Sequence, residues 1–149
     1  MRIAVGCDHA GFPLKVLLAK HLADAGHDVV DLGTDSEAPV DYPGFGAAVG
    51  EAVVSGRADI GLCTCGTGIG IAIAANKVDG VRAAVVHDAT TARLARIHNH
   101  ANVVCLGARI VGSEVARDAV DQFLAAEPAG GRHEQRVEQI SALERHRAS

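Results

Sequence analysis

Cys65 stands directly before the run Gly66, Thr67, Gly68, Ile69 and Gly70. Such a run, opening a helix right after a strand, turns backbone N–H groups into a pocket and favours an anion there. A thiol beside a helix start ionises more readily than a free one, so Cys65 is a candidate nucleophile or base. Three glycines in five residues exceed what one tight turn requires and suggest the close approach of a ligand. Two familiar readings of the glycines fail. The dinucleotide fingerprint needs glycine where Ile71 stands and belongs after the first strand of its unit, and a P-loop needs Gly-Lys-Ser/Thr, whereas the only nearby lysine is Lys77.

Other ionisable residues fall at similar junctions. Asp8 and His9 follow the first apolar run, Arg109 follows the last, and His98, Asn99 and His100 end a helical segment just before it. Asp8-His9 also fits a helix cap beside a surface imidazole. His98 also fits a helix C-terminus, where imidazolium suits the dipole. Arg132 and Arg136 are four residues apart and share a helical face. They are either a solvated surface or a two-pronged phosphate clamp, for which guanidinium geometry is suited. Cys63-x-Cys65 and His98-x-His100 lack zinc-site spacing, and no metal or other cofactor is expected. Cys63 and Cys105 lie inside apolar runs and read as small buried hydrophobes, as does Cys7 less firmly.

These residues need elements to hold them. Strands are expected at 2–6, 28–32, 59–64, 81–86 and 102–106. Helices are expected from Pro13 to before Gly26, at 45–54, from the glycine run to about Ala75, at 89–98 and at 113–124. Strands separated by helices mean right-handed crossovers, hence an α/β fold: a five-stranded parallel sheet with helices on both faces, a Rossmann-like three-layer domain. Ligands of such sheets bind beyond the carboxyl ends of the strands. Residues 1–127 form this core. Pro128 to Gly131 break the chain, and 128–149 form a charged helical extension with Val137, Ile140 and Leu143 as a thin apolar stripe. That helix either reaches across to a second subunit or docks loosely on its own domain.

The composition agrees. The chain has 149 residues, 48% of them hydrophobic, yet only four aromatic residues, Phe12, Tyr42, Phe45 and Phe123. Such a core is built from Val, Ile, Leu and Ala, as in buried parallel strands. Fourteen basic against eighteen acidic residues leave a net charge of −4, which does not suit nucleic acid. No apolar run approaches a membrane span, no signal peptide opens the chain, and a cytoplasmic protein with free thiols is expected.

Taken in order, Gly6-Cys7-Asp8-His9-Ala10-Gly11, Asp41-Tyr42-Pro43, Cys65 to Gly70 with Ala74-Ala75-Asn76-Lys77, His98-Asn99, Gly107-Ala108-Arg109, and Gly131-Arg132-His133 with Arg136 resemble ribose-5-phosphate isomerase type B. This is the sugar-phosphate isomerase family that includes the galactose-6-phosphate isomerase subunits. The resemblance covers nearly the whole chain. It implies an aldose–ketose isomerase without metal or nucleotide, interconverting ribose 5-phosphate and ribulose 5-phosphate. It also implies a homodimer or dimer of dimers whose active sites are shared and whose C-terminal helix packs on the partner subunit. Cys65 would move the proton between C2 and C1, His98 would open the furanose ring, and Asp8 would assist at the anomeric hydroxyl. Thr67 and the backbone of Gly66, Gly68, Ile69 and Gly70 would hold the enediolate. His9, Arg132 and Arg136 would bind phosphate, with Asn99 and Arg109 completing the pocket. Some members carry Glu as the base on the glycine loop. Ile71 stands in that neighbourhood here, so the chain resembles the Cys type. The alternatives are the same chemistry on erythrulose 4-phosphate, allose 6-phosphate or galactose 6-phosphate, and, more remotely, a non-catalytic phosphate- or nucleotide-binding module.

Overall fold

Alternation of apolar side chains decides the layers. In the computed structural model, which describes residues 1–147, strand β1 is Arg2–Cys7, and Ile3 and Val5 point to one face of the sheet while Ala4 points to the other. The remaining strands are β2 (Asp28–Asp31), β3 (Ile60–Cys65), β4 (Ala83–Val85) and β5 (Val103–Gly107). They form one parallel sheet in the order β2-β1-β3-β5-β4. Helices α1 (Phe12–Asp24), α4 (Ala89–Asn99) and α5 (Ser113–Ala125) supply Leu14, Leu18, Leu22, Ala92, Val120 and Phe123 to one face. On the other, α2 (Tyr42–Val54) and α3 (Ile69–Ala75) bring Val49, Ala52, Ile71 and Ala75 against Cys63, Cys65 and Cys105. This is the single α/β domain with helices on both faces that the sequence implies.

The elements begin and end for local reasons. Pro13 sits in the first turn of α1, where its missing N–H costs nothing. Asp88 caps α4 by accepting the Thr91 amide at 2.7 Å, and the Thr91 hydroxyl in turn accepts the Asp88 amide. Helix α2 starts at Tyr42, three residues before the expected Phe45, because Pro43 is a first-turn residue rather than the end of a loop. Strand β4 is shorter than expected. The Asn76 side chain takes over its outer edge, donating to the Ala83 carbonyl at 2.9 Å and accepting its amide at 2.8 Å.

The chain leaves β1 in one direction to make β2 and returns past β1 to make β3, so the sheet order reverses between β1 and β3. A crevice opens outside the carboxyl ends of strands at such a reversal. Asp8 and Cys65 stand at those two ends.

Helix α6 (Arg132–Arg147) docks on α4 of its own chain. The Ala129 amide donates to the Ile97 carbonyl at 3.0 Å, His100 Nε2 lies 2.7 Å from the Ala129 carbonyl, and Glu144 accepts the Gly80 amide at 3.1 Å. Val137 is buried, whereas Ile140 and Leu143 stay 44% and 65% exposed. The apolar stripe is therefore divided, and packing on a second subunit is not part of what this single chain displays.

Candidate active site

Cys65 is the last residue of β3, on the sheet face covered by α2 and α3. It is 4% exposed and lines a cleft of about 650 Å³. Its Sγ accepts the Gly68 amide N–H at 3.1 Å. Such a donor bonds an anionic sulfur more strongly than a neutral one. Asp8, His9, Gly66, Thr67, Ile69, Gly70 and Arg109 line the same cleft. Gly68 supplies the amide on the sulfur and so belongs to the site from below.

Each polar group is held. Asp8 Oδ1 accepts the Gly11 amide at 2.9 Å. His9 Nδ1 lies 3.1 Å from both the amide and the carbonyl of Val40, which fixes the ring and leaves Nε2 as its other polar atom. Thr67 Oγ1 accepts the Ile69 amide at 3.2 Å. The Ala108 and Arg109 amides donate to the carbonyls of Cys65 and Gly66 at 2.8 and 3.0 Å, stitching the loop after β5 to the loop after β3.

The three glycines of the loop differ in what surrounds them. A Cβ on Gly66 would come within 3.2 Å of Arg109 Nη1, and one on Gly70 within 2.5 Å of the Tyr42 ring. Gly68 takes φ +79, and its Cβ would meet the Leu106 carbonyl carbon at 2.8 Å. Backbone geometry therefore requires glycine at 68, whereas at 66 and 70 the neighbours are the movable ends of the Arg109 and Tyr42 side chains. Ile71 is fully buried among α2 and α3 and carries no ionisable group.

Four expected site residues are elsewhere. His98 and Asn99 end α4, a helix that leaves the carboxyl end of β4 and must run back to the start of β5. Eleven residues of helix span about 16 Å, which carries both to the opposite edge of the sheet from Cys65. Arg132 and Arg136 lie beside them at the start of α6. Grouping His98 with residues at the strand ends was thus wrong for a single chain, since chain order before β5 means the amino edge of the sheet.

Asp41 and Tyr42 also line the cleft and were given no role from sequence. Asp41 is the N-cap residue of α2 yet makes no capping hydrogen bond with its side chain. The signal available was the motif Asp41-Tyr42-Pro43, where proline after a polar pair marks a helix start at the cleft.

The other thiols differ from Cys65. Burial pushes Cys7 up to about 11 despite the opposing Lys15 charge, and its Sγ lies 3.8 Å from the Thr34 carbonyl. A hydrogen bond with Cys63, then burial, raises Cys105 well above the usual thiol range. A second open depression, between α1 and α5, is lined by His21, Arg117, Asp118 and Asp121 and holds no thiol or glycine loop. Among the described residues, no group of three His, Cys, Asp or Glu side chains could hold a metal ion.

The fold is thus a doubly wound α/β domain with a thiol, a carboxylate and a loop of amides at its topological switch point. The family model for ribose/galactose isomerases matches residues 3–140, and the chain belongs to that family. It is 49% identical to ribose-5-phosphate isomerase B of Escherichia coli, with 98% of each chain covered. It is 40% identical to a D-erythrulose-4-phosphate isomerase of Pectobacterium atrosepticum, covering 97% of this chain and 95% of that one. The structure of Clostridium thermocellum ribose-5-phosphate isomerase B superposes with a TM-score of 0.97 at 50% identity, covering 98% of this chain and 99% of that one.

Proposed function

We propose that the protein interconverts ribose 5-phosphate and ribulose 5-phosphate. The observation that carries this reading is the Cys65 sulfur in the wall of a cleft that also holds Asp8, His9, Thr67 and Arg109. The full-length similarity to ribose-5-phosphate isomerase B at 49% identity favours the pentose over the four- and six-carbon alternatives.

Abstracting a proton beside a carbonyl is slow because the carbanion is unstable, so the enediolate oxygens must be stabilised. In the proposed reaction, Cys65 as thiolate removes the proton from C2 of the open-chain aldose. Through the enediolate the proton of the C2 hydroxyl passes to the C1 oxygen, and the Cys65 thiol returns its proton to C1 as the C2 oxygen becomes the ketone carbonyl. Backbone amides of 66–70 with Thr67 hold the developing charge. One such donor is typically worth ~10²–10³ in rate. His98 protonates the ring oxygen as the furanose opens, with Asp8 at the anomeric hydroxyl. General acids and bases of this kind contribute about 10²–10⁴ each. His9, Arg132 and Arg136 take the phosphate, whose binding energy positions C1 and C2, and Asn99 and Arg109 complete the pocket.

This assignment requires two copies of the chain, as a homodimer or a dimer of dimers, with His98, Asn99, Arg132 and Arg136 supplied to the cleft by the partner and α6 packed across the boundary. Ile69 and Ile73, 53% and 57% exposed beside the cleft, and the outward stripe of Ile140 and Leu143 support it. No helix among the described residues is long and apolar enough to cross a membrane, and cytoplasmic sugar-phosphate metabolism is the setting this reading implies.

The test is an assay of phosphorylated tetroses, pentoses and hexoses compared by kcat/KM. Ribose 5-phosphate is expected to lead. A higher value for a tetrose or hexose phosphate would reassign the substrate, and no turnover of any would return the fold to a binding role.

A further inference from the structure

His98, in the last turn of α4, and His133, in the first turn of α6, lie face to face, with ring centroids 4.3 Å apart and planes inclined by 3°. Both are half-buried, and the bonds of Ala129 to Ile97 and to His100 clamp the joint around them. Two imidazoles this close do not readily hold a proton each, because like charges in near contact disfavour the second ionisation. His98 stands at the carbonyl end of α4, which favours a cation. His133 is flanked on its own helix by Arg132 and Arg136, which disfavour one.

We propose that His133 is a positioning residue for His98, fixing the plane of its ring by stacking. This rests on the reading of His98 as the acid that opens the sugar ring. Desolvation, together with the charges of His98, Arg132, Arg136 and His100, holds His133 below the ordinary imidazole range, in keeping with a neutral stacking partner. Among nearby carboxylates, the charge of Glu127 acts on Arg96, and Glu134 and Glu138 line a depression with His100.

Substrate chemistry supplies a discriminating readout. Ribose 5-phosphate is mostly a furanose and must be opened, whereas ribulose 5-phosphate cannot close a furanose because its O5 carries the phosphate. With His133→Ala, kcat on ribose 5-phosphate is expected to fall about tenfold with KM nearly unchanged, while exchange of the C1 hydrogen of ribulose 5-phosphate with deuterated water, which reaches the enediolate without passing through the ring, falls less than about twofold. His133→Phe, which stacks without titrating, is expected to restore most of the loss. Equal losses in turnover and in hydrogen exchange, a change in KM alone, or no rescue by phenylalanine would overturn the proposal. NMR titration of the His133 ring judges the pair without any assay. His98→Ala should raise the pH at which His133 protonates, and an unmoved titration would sink the pairing. If the wild-type protein leaves ribose 5-phosphate untouched, the isomerase reading fails instead, and the titration still decides the pair.

Discussion

The Cys65 sulfur accepts a hydrogen bond from the Gly68 amide three residues further along, at 3.1 Å. The residue that would take the substrate proton is thereby bonded to the loop that would hold the resulting charge. Base and anion site move as one unit, anchored by the Ala108 and Arg109 amides on the carbonyls of Cys65 and Gly66.

Replacing Cys65 by Ala removes the proposed base and leaves the loop's amides in place. Turnover is expected to fall by at least ~10³, with binding of ribose 5-phosphate within a few-fold of wild type, measured by initial rates and calorimetry. A Cys65→Ala enzyme with near-normal kcat would show that another group removes the C2 proton.

Thiol chemistry should single out one of the four cysteines. Cys7, Cys63 and Cys105 are fully buried, and Cys7 ionises only near pH 11. At pH 8, iodoacetamide is expected to add once per folded chain, at Cys65, and a sugar phosphate is expected to slow the addition; intact and peptide mass spectra read both. Comparable labelling of Cys7 in the folded protein would contradict the burial described.

Mixing two inactive variants tests the shared site. His98→Ala and Cys65→Ala subunits, co-refolded, form hybrid dimers in which one site holds both an intact Cys65 and an intact His98. Random pairing then predicts recovery of about a quarter of wild-type activity, since closed dimers repeat the same contact twice. A site built within one subunit would give none.

The cap of α4 carries a pH signature. The Thr91 amide, and then its hydroxyl, hold Asp88 below its ordinary value near 3.8, so the folded state prefers the carboxylate. The stability this adds is fully present above the unfolded pKa and is lost as pH falls through the lower folded one. Asp88→Ala is therefore expected to melt below wild type at pH 7, and the gap should close as the pH drops below about 4. A gap in melting temperature that stays constant from pH 7 to pH 3 would rule out the carboxylate cap as its source.

Much was legible in the chain itself. Alternating apolar residues, a proline after a turn and the break at Pro128 to Gly131 are local signals. The order of strands and helices, the crevice residues Asp8, His9, Cys65 and Arg109, and the terminal helix followed from them, with ends shifted by a few residues. Local periodicity is a short-range property, and short-range properties survive in one dimension.

Contacts between distant segments are not local, and three matters waited for them. Gly68 answers to the backbone of Leu106, which lies 38 positions away in the chain. The stacking of His98 on His133 depends on how α6 folds back over α4. The position of His98 at the far edge of the sheet follows from the antiparallel return that every crossover helix must make. Residue types and spacing therefore determined which groups could do chemistry, while only the folded chain decided which of them meet, because side chains meet where packing brings their elements together.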